Sequence, residues 1–294
     1  MQKVIILVGL PASGKSTFVE ALKNATVEND VHGDAWRVIS WDRQRHFDID
    51  GNEIAGYKFN SKTEQKIRED SIVHCNNYLE WGYNVVIDNT NLLEPSRQLW
   101  KNIAQQYGAE VEIEEFNTSL DECIRRNELR TGWRKVPRPV IERMALMSGR
   151  VDWPADKKVV IVDMDGTLAD ISWRKPHASW LIPSDPVRHG VATTVYNLYH
   201  SKYQKAYVCI VSGRQLDAAG QLTIDWLAKH DIPYDRIFMR NRGDYRDDTI
   251  VKKEILDKIG PERVSFAIDD RPKVIRMWRE NGIKTYDVGD GHEF

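Results

Sequence analysis

The chain is short of several things at once, and each shortage excludes something. No apolar run approaches the roughly 18 to 20 residues that a membrane-spanning helix requires, so a membrane protein is not expected. The three cysteines, Cys75, Cys123 and Cys209, are odd in number, form no CxxC pair and sit in apolar periodic contexts, which argues against a disulfide framework or a thiolate metal site. The eight histidines show no metal-ligand spacing. There is no internal repeat, no low-complexity tract and no signal-peptide pattern, because the short apolar run after Met1-Gln2-Lys3 ends in a glycine loop. Net charge is −2, so overall basicity does not announce a nucleic-acid partner, and any basic site must be local. The expectation is a reduced, cytoplasmic protein.

What is present is alternation. In 294 residues, too many for one comfortable core, apolar runs fitting buried parallel strands alternate with helical patterns. The runs are Val4 to Val8, Val38 to Ser40, Val85 to Ile87 and Val111 to Phe116. After a Gly/Pro/charge-rich stretch, Gly149 to Lys158, come Val159 to Val162, Ala206 to Val211, Ile237 to Met239, Val264 to Ile268 and Ile283 to Asp287. Helical spacing of Ile72, Cys75 and Leu79 before Gly82, and of Leu216, Ala219, Thr223 and Trp226 after Gly213, fills two of the gaps. The expected fold class is α/β, with two domains, residues 1–153 and 156–294, each a mainly parallel sheet flanked by helices. In such sheets ligands sit outside the carboxyl ends of the strands.

Directly after the first run stands Gly9-Leu-Pro-Ala-Ser13-Gly14-Lys15-Ser16-Thr17, which fits GxxxxGK[ST]. Glycines let the backbone wrap phosphates, the following helix start adds partial positive charge, Lys15 can reach the β and γ phosphates, and Ser16 can bind Mg²⁺. ATP and Mg²⁺ are the expected cofactors. Further on, Asp42 lies just past a strand end and could take the proton of an attacking hydroxyl, while Arg45 could hold an acceptor phosphate. Both fit a solvated loop salt bridge as well. Asp88, ending Val85-Val-Ile, could orient Arg45 or bind a metal-bound water, or be a plain turn residue. Residues 125–150 carry Arg125, Arg126, Arg130, Arg134, Lys135, Arg138, Arg143 and Arg150 against only Glu128 and Glu142. A lid arginine closing on a transferring phosphoryl group fits this surplus, with Arg126 and Arg130 on one helix face; so does a solvated charged face.

The second half opens with Val159-Val-Ile-Val-Asp163-Met-Asp165-Gly166-Thr167. Residues two apart on a strand point the same way, so two carboxylates converge at its end, one able to attack phosphorus and the other to handle protons. Ser212-Gly213-Arg214 ends a later strand, Lys252 lies on a helical pattern, and Asp269-Asp270 ends another strand. Hard oxygen ligands suit Mg²⁺, assigned to Asp163, the Asp165 carbonyl, Asp269 and Asp270.

The DxDGT, SGR, Lys and IDD series resembles the haloacid-dehalogenase-like phosphatases. Together with the preceding P-loop, and with the strings DRQR, IDNTNL, RRNELRTG and RGDYRDDTIVKKEI, the whole chain resembles the phage-type polynucleotide kinase–phosphatase family. That resemblance implies phosphorylation of 5′-hydroxyl polynucleotide ends and removal of 3′-phosphates. It makes Lys15, Asp42, Arg130, Asp163 and Asp165 the catalytic set. Asp42 would be the base, Arg126 and Arg130 lid arginines on the nucleotide, Arg45 the grip on a 3′-phosphate, and Asp88 a supporting acid. Asp163 would be the nucleophile and Asp165 the acid–base, supported by Arg174, Ser212, Gly213, Arg214, Asp248 and Lys252. Nucleic-acid ends are the implied partners, with room for a ligase partner and a homo-oligomer. The competing reading is a small-molecule kinase fused to a metabolite phosphatase. Trp133, Trp153, Trp173 and Trp180 flank basic residues and read as packing aromatics before base-stacking ones.

Overall fold

The computed structural model describes residues 1–27, 36–48, 52–54, 60–202 and 206–290. Two compact units emerge, Met1–Val136 and Pro137–Phe294.

In the first unit, strands β1 (Lys3–Val8), β2 (Trp36–Ile39), β3 (Asn84–Ile87) and β4 (Glu110–Glu115) form a fully parallel sheet in the order β2-β3-β1-β4. Helices α1 (Lys15–Val27), α2 (Trp41–His46), α3 (Ser61–Glu80), α4 (Glu94–Gln106) and α5 (Leu120–Glu128) connect and cover it. The continuous Val/Ile/Leu character of β1 follows from burial on both faces. Val4, Ile6 and Val8 join Trp100, Ile103 and Leu79 on one side, while Ile5 and Leu7 meet Val19 and Val86 on the other. Edge strand β4 has a different composition: Glu110, Glu112 and Glu115 are exposed.

In the second unit, β5 (Val159–Val162), β6 (Tyr207–Gln215), β7 (Arg236–Arg240), β8 (Val264–Asp269) and β9 (Thr285–Asp287) form a parallel sheet in the order β7-β6-β5-β8-β9. Its helices are α6 (Arg138–Met147), α7 (His189–His200), α8 (Leu216–Lys229), α9 (Asp248–Ile259) and α10 (Pro272–Glu280). The nine expected strands are all present among the described residues, within a few residues of their expected ends. The three cysteines are buried and unpaired.

Helix α6 has a role that charge counting did not anticipate. It lies against edge strand β7, where the buried Glu142 carboxylate accepts from the Ile237 amide at 3.0 Å and from Arg138 Nε at 3.0 Å. Arg138 also donates to the Asp235 carbonyl. Two members of the basic surplus are therefore structural: Arg138 ties down a sheet edge, and Arg143 is buried on the same helix. An edge strand's free amides need partners, and a buried carboxylate is one way to supply them. Among the described residues no helix is long and apolar enough to cross a membrane.

Candidate active sites

In each sheet the strand order reverses around its first strand, leaving a crevice at the carboxyl ends. In the first unit the phosphate loop occupies that place. Gly14 adopts φ +111°, open to glycine, and α1 begins at Lys15, directing its free amides and those of Ser16 and Thr17 at the loop. Gly9 is required for closeness: a side chain there would run into Ser13 Oγ at 2.5 Å and Phe116 Cβ at 2.9 Å. Lys15 is buried and lies across the loop, donating to the carbonyls of Gly9 (2.9 Å) and Leu10 (2.8 Å). Burial lowers its pKa to about 8, against the opposing pull of Asp88 and Asp42. Ser16 Oγ donates to Asp88 at 3.2 Å, and burial raises the Asp88 pKa although Lys15 opposes it. Asp88 thus faces the end of the loop where a metal-bound nucleotide would lie.

On the acceptor side, Ser40 caps α2, and Asp42 and Arg45 follow within it. Arg45 grips Glu64 of α3 through Nε (2.8 Å) and Nη2 (2.5 Å) and reaches Asp42 through Nη1 (2.6 Å). Glu64 was not singled out in the sequence; it lies nineteen residues downstream on another helix, and no local spacing signals it. Trp133 stacks on His46 at 5.0 Å and meets Phe47 edge-on, linking the segment after α5 to the end of α2.

The two lid candidates separate. They do not share a helix face, because α5 ends at Glu128 with Leu129 as its cap and Gly132 turns the chain at φ +59°. Arg126 is exposed and turns back along its helix to Glu122 at 2.6 Å. Arg130 comes within electrostatic reach of Lys15, Asp42 and Asp88. Its pKa is lowered by burial first and Arg134 second, with Asp42 and Asp88 opposing.

In the second unit, Asp163 leaves β5 and Asp269 ends β8, side by side on paired strands. Lys252 of α9 bridges them, with Nζ 2.7 Å from Asp163 Oδ1 and 2.8 Å from Asp269 Oδ2. Trp278 Nε1 donates to the same Asp269 oxygen at 3.1 Å, a partner invisible to the sequence reading, and the Arg271 amide holds the other oxygen at 3.1 Å. Thr167 donates to Asp270 at 2.9 Å. Gly166, at φ +83°, turns the chain where any side chain would strike the Asp270 carboxylate. Oxygens of Asp163, Asp269 and Asp270 lie within 4.8 Å of one another. Three buried carboxylates share one ammonium. Burial, with Asp269 and Asp270 adding to it, drives the Asp163 pKa well up despite Lys252. Lys252 itself is held protonated: burial would lower its pKa, and the two carboxylates outweigh it. The donor set is all hard oxygen with uncompensated negative charge, and it fits a divalent cation.

Asp165 points elsewhere. It accepts from Arg214 Nη2 at 2.5 Å and from Arg174 Nη2 at 3.4 Å. Both arginines are anchored by the buried Asp185, at 2.6 Å to each of two Arg174 nitrogens and 3.1 Å to Arg214. Ser212 is buried, its Oγ accepting from the Arg214 amide. Asp248 is gripped by Arg240 and Arg271 and lies against Gly213. Both guanidiniums engage its carboxylate, which remains partly exposed. Of the tryptophans, Trp153 packs on Tyr207 and Phe238, whereas Trp173 and Trp180 are exposed rather than packed.

Residues 157–293 match the family model of the polynucleotide kinase PNKP phosphatase domain. Together with the phosphate loop of the first unit, this match supports a PNKP-type kinase–phosphatase. Residues 4–147 match an AAA domain model, in keeping with the phosphate loop. A similar protein of Autographa californica nuclear polyhedrosis virus, named as a putative bifunctional polynucleotide kinase/RNA ligase, is 26% identical over 97% of this chain. This chain spans 42% of the length of that viral relative. Among solved structures, a chain of a Pnkp1/Rnl/Hen1 RNA repair complex is 27% identical, covering 99% of this chain and 96% of its own, at a TM-score of 0.42. The Mycobacterium tuberculosis APS kinase CysC, solved with AMPPNP and APS, covers 44% of this chain and 69% of its own at 20% identity and a TM-score of 0.35. A PNKP-type kinase and phosphatase pair implies use of a nucleotide and, typically, of a divalent metal.

Proposed function

We propose that this PNKP-type chain heals nucleic-acid ends, transferring the γ-phosphoryl group of ATP to 5′-hydroxyl ends and hydrolysing 3′-phosphate ends. The observation that carries the reading is the pairing, on one chain, of the Lys15 phosphate loop with the buried Asp163–Lys252–Asp269 site inside a polynucleotide-kinase phosphatase domain.

In the kinase half, the loop amides and Lys15 hold the β and γ phosphates, with Lys15 leaving its own loop carbonyls to do so. Asp42 accepts the proton of the 5′-hydroxyl as that oxygen bonds to the γ phosphorus and the bond to ADP breaks. Arg130 supplies positive charge to the transferring group, and Arg45, oriented by Glu64, grips a phosphate of the acceptor. Ser16 and Asp88 would hold Mg²⁺ on the nucleotide.

In the phosphatase half, an Asp163 oxygen attacks phosphorus and the bond to the 3′ oxygen breaks as Asp165 protonates that oxygen. Asp165 then takes a proton from water, whose oxygen displaces Asp163 and releases phosphate. Ser212, Arg174 and Arg214 bind the phosphate oxygens. Asp163, Asp269, Asp270 and the Asp165 carbonyl would hold Mg²⁺, which supplies charge neutralisation between nucleophile and phosphate. Coupling to a nucleic-acid ligase is the partnership proposed, on the likeness to a relative whose name carries a ligase.

The test is a panel of 5′-hydroxyl and 3′-phosphate oligonucleotides, DNA and RNA, against sugars, nucleosides and metabolite phosphates, with labelled ATP and Mg²⁺. Label transfer to the oligonucleotide and release of its 3′-phosphate are expected. Turnover of the small molecules alone would establish the kinase–metabolite phosphatase reading instead.

A further inference from the structure

Tyr245 is 84% exposed, more than any tryptophan among the exposed large hydrophobic side chains. Exposure alone says little, since single apolar side chains are common on surfaces. What distinguishes Tyr245 is how firmly its backbone is held and to what. The turn after β7 runs Asn241 to Asp247, and the carbonyls on either side of Tyr245, those of Asp244 and Arg246, both accept from Arg240 Nη1, at 3.1 and 2.5 Å. The same guanidinium donates through Nε to the Gly213 carbonyl at 2.8 Å and pairs through Nη2 with Asp248. Gly213 lies between Ser212 and Arg214, and Arg214 lies on Asp165. One arginine therefore fastens the turn beneath Tyr245 to the strand end that forms the phosphate site. Asp244 accepts from the Arg246 amide and side chain, and Arg246 reaches on to Glu254, so the turn is closed from its outer side as well. Asp247 caps α9 and pairs with Lys273.

A rigid turn that presents an aromatic ring to solvent beside a phosphate site costs little entropy when a flat apolar group lands on it. A nucleobase attached to the scissile phosphate is such a group, and base stacking on protein aromatics is tolerant of sequence. We infer that Tyr245 is the stacking platform for a base at the 3′ end of the polynucleotide, and so a specificity residue that lets this phosphatase prefer nucleic-acid ends to small phosphate esters. This deepens the end-healing reading and rests on it.

The experiment compares kcat/KM for a 3′-phosphorylated oligonucleotide with that for p-nitrophenyl phosphate, using the full chain. Tyr245→Ala should lower the ratio of the two about tenfold, chiefly through KM for the oligonucleotide, and Tyr245→Phe and Tyr245→Trp should restore it. An oligonucleotide ending in two abasic 3′ residues should show the same loss with the unaltered protein, and no additional loss in Tyr245→Ala. An unchanged ratio, or an equal loss on both substrates, would overturn the stacking role while leaving the end-healing reading in place. A protein that hydrolyses p-nitrophenyl phosphate but no 3′-phosphorylated oligonucleotide would remove that reading and the stacking role with it.

Discussion

Asp185 holds Arg174 through both of its carboxylate oxygens, 2.6 Å from Nε and 2.6 Å from Nη2, with both side chains almost fully buried. Asp185 also reaches Arg214, so one buried carboxylate sets the position of both guanidiniums that lie on Asp165. Removing one partner from such a cluster leaves charge stranded. Asp185→Asn should cost the second unit about 3 kcal/mol and lower 3′-phosphate release by about a hundredfold or more, with 5′-phosphorylation retained. Thermal unfolding and the two activity assays check this; full phosphatase activity would rule out the positioning role.

The two chemistries share no residue, which makes them separable. Asp163→Asn should abolish phosphatase activity and spare the kinase, and Lys15→Ala the reverse. Simultaneous loss of both activities in either variant, with native circular dichroism, would contradict independent sites.

These two variants alter what was readable from sequence; Asp185→Asn alters what was not. Asp163 had to follow its apolar strand and Lys15 the glycine loop, because both patterns are local; the expected convergence of Asp163 and Asp165 fails, because the strand ends at Val162 and the two carboxylates go to different partners, Lys252 and Arg214. Asp185, Glu64 and Trp278 join their partners across separate elements of the chain, so no spacing marks them. The basic surplus of residues 125–150 looked like one surface and is several things. Arg130 lies within electrostatic reach of Lys15 and Asp42, Arg126 stays on its own helix, Arg138 ties down a sheet edge, and Arg143 is buried. Counting charge could not separate them, because burial is set by tertiary packing.

Helix α6 carries the next prediction. A fragment beginning at Lys157 lacks Glu142 and Arg138 and leaves the Ile237 amide of β7 without its carboxylate partner on that edge. It should aggregate or unfold at lower temperature than a fragment beginning at Pro137, with a deficit of several degrees by calorimetry. Equal melting temperatures would show that the helix contributes nothing to the sheet.

Lys15 gives a pH dependence. Its pKa is about 8 in the nucleotide-free protein against the ordinary 10.5 of an unfolded lysine. Between those values the unfolded chain binds more protons, so unfolding free energy rises with pH; below pH 8 the cost of burying the ammonium is present in full. Relative to Lys15→Met, the unaltered protein should gain on the order of 3 kcal/mol from pH 7 to 10.5, measured by urea unfolding. A difference that stays flat across that range would remove the buried-ammonium cost.

Among the described residues strand β4 is an edge of the first sheet, and it carries exposed glutamates, with Glu110 paired to Lys3. Were two copies to lay these edges together, carboxylate would meet carboxylate along the seam, a repulsion that grows with every added residue pair. The acidity of this edge would therefore disfavour pairing between two copies, most effectively in dilute salt.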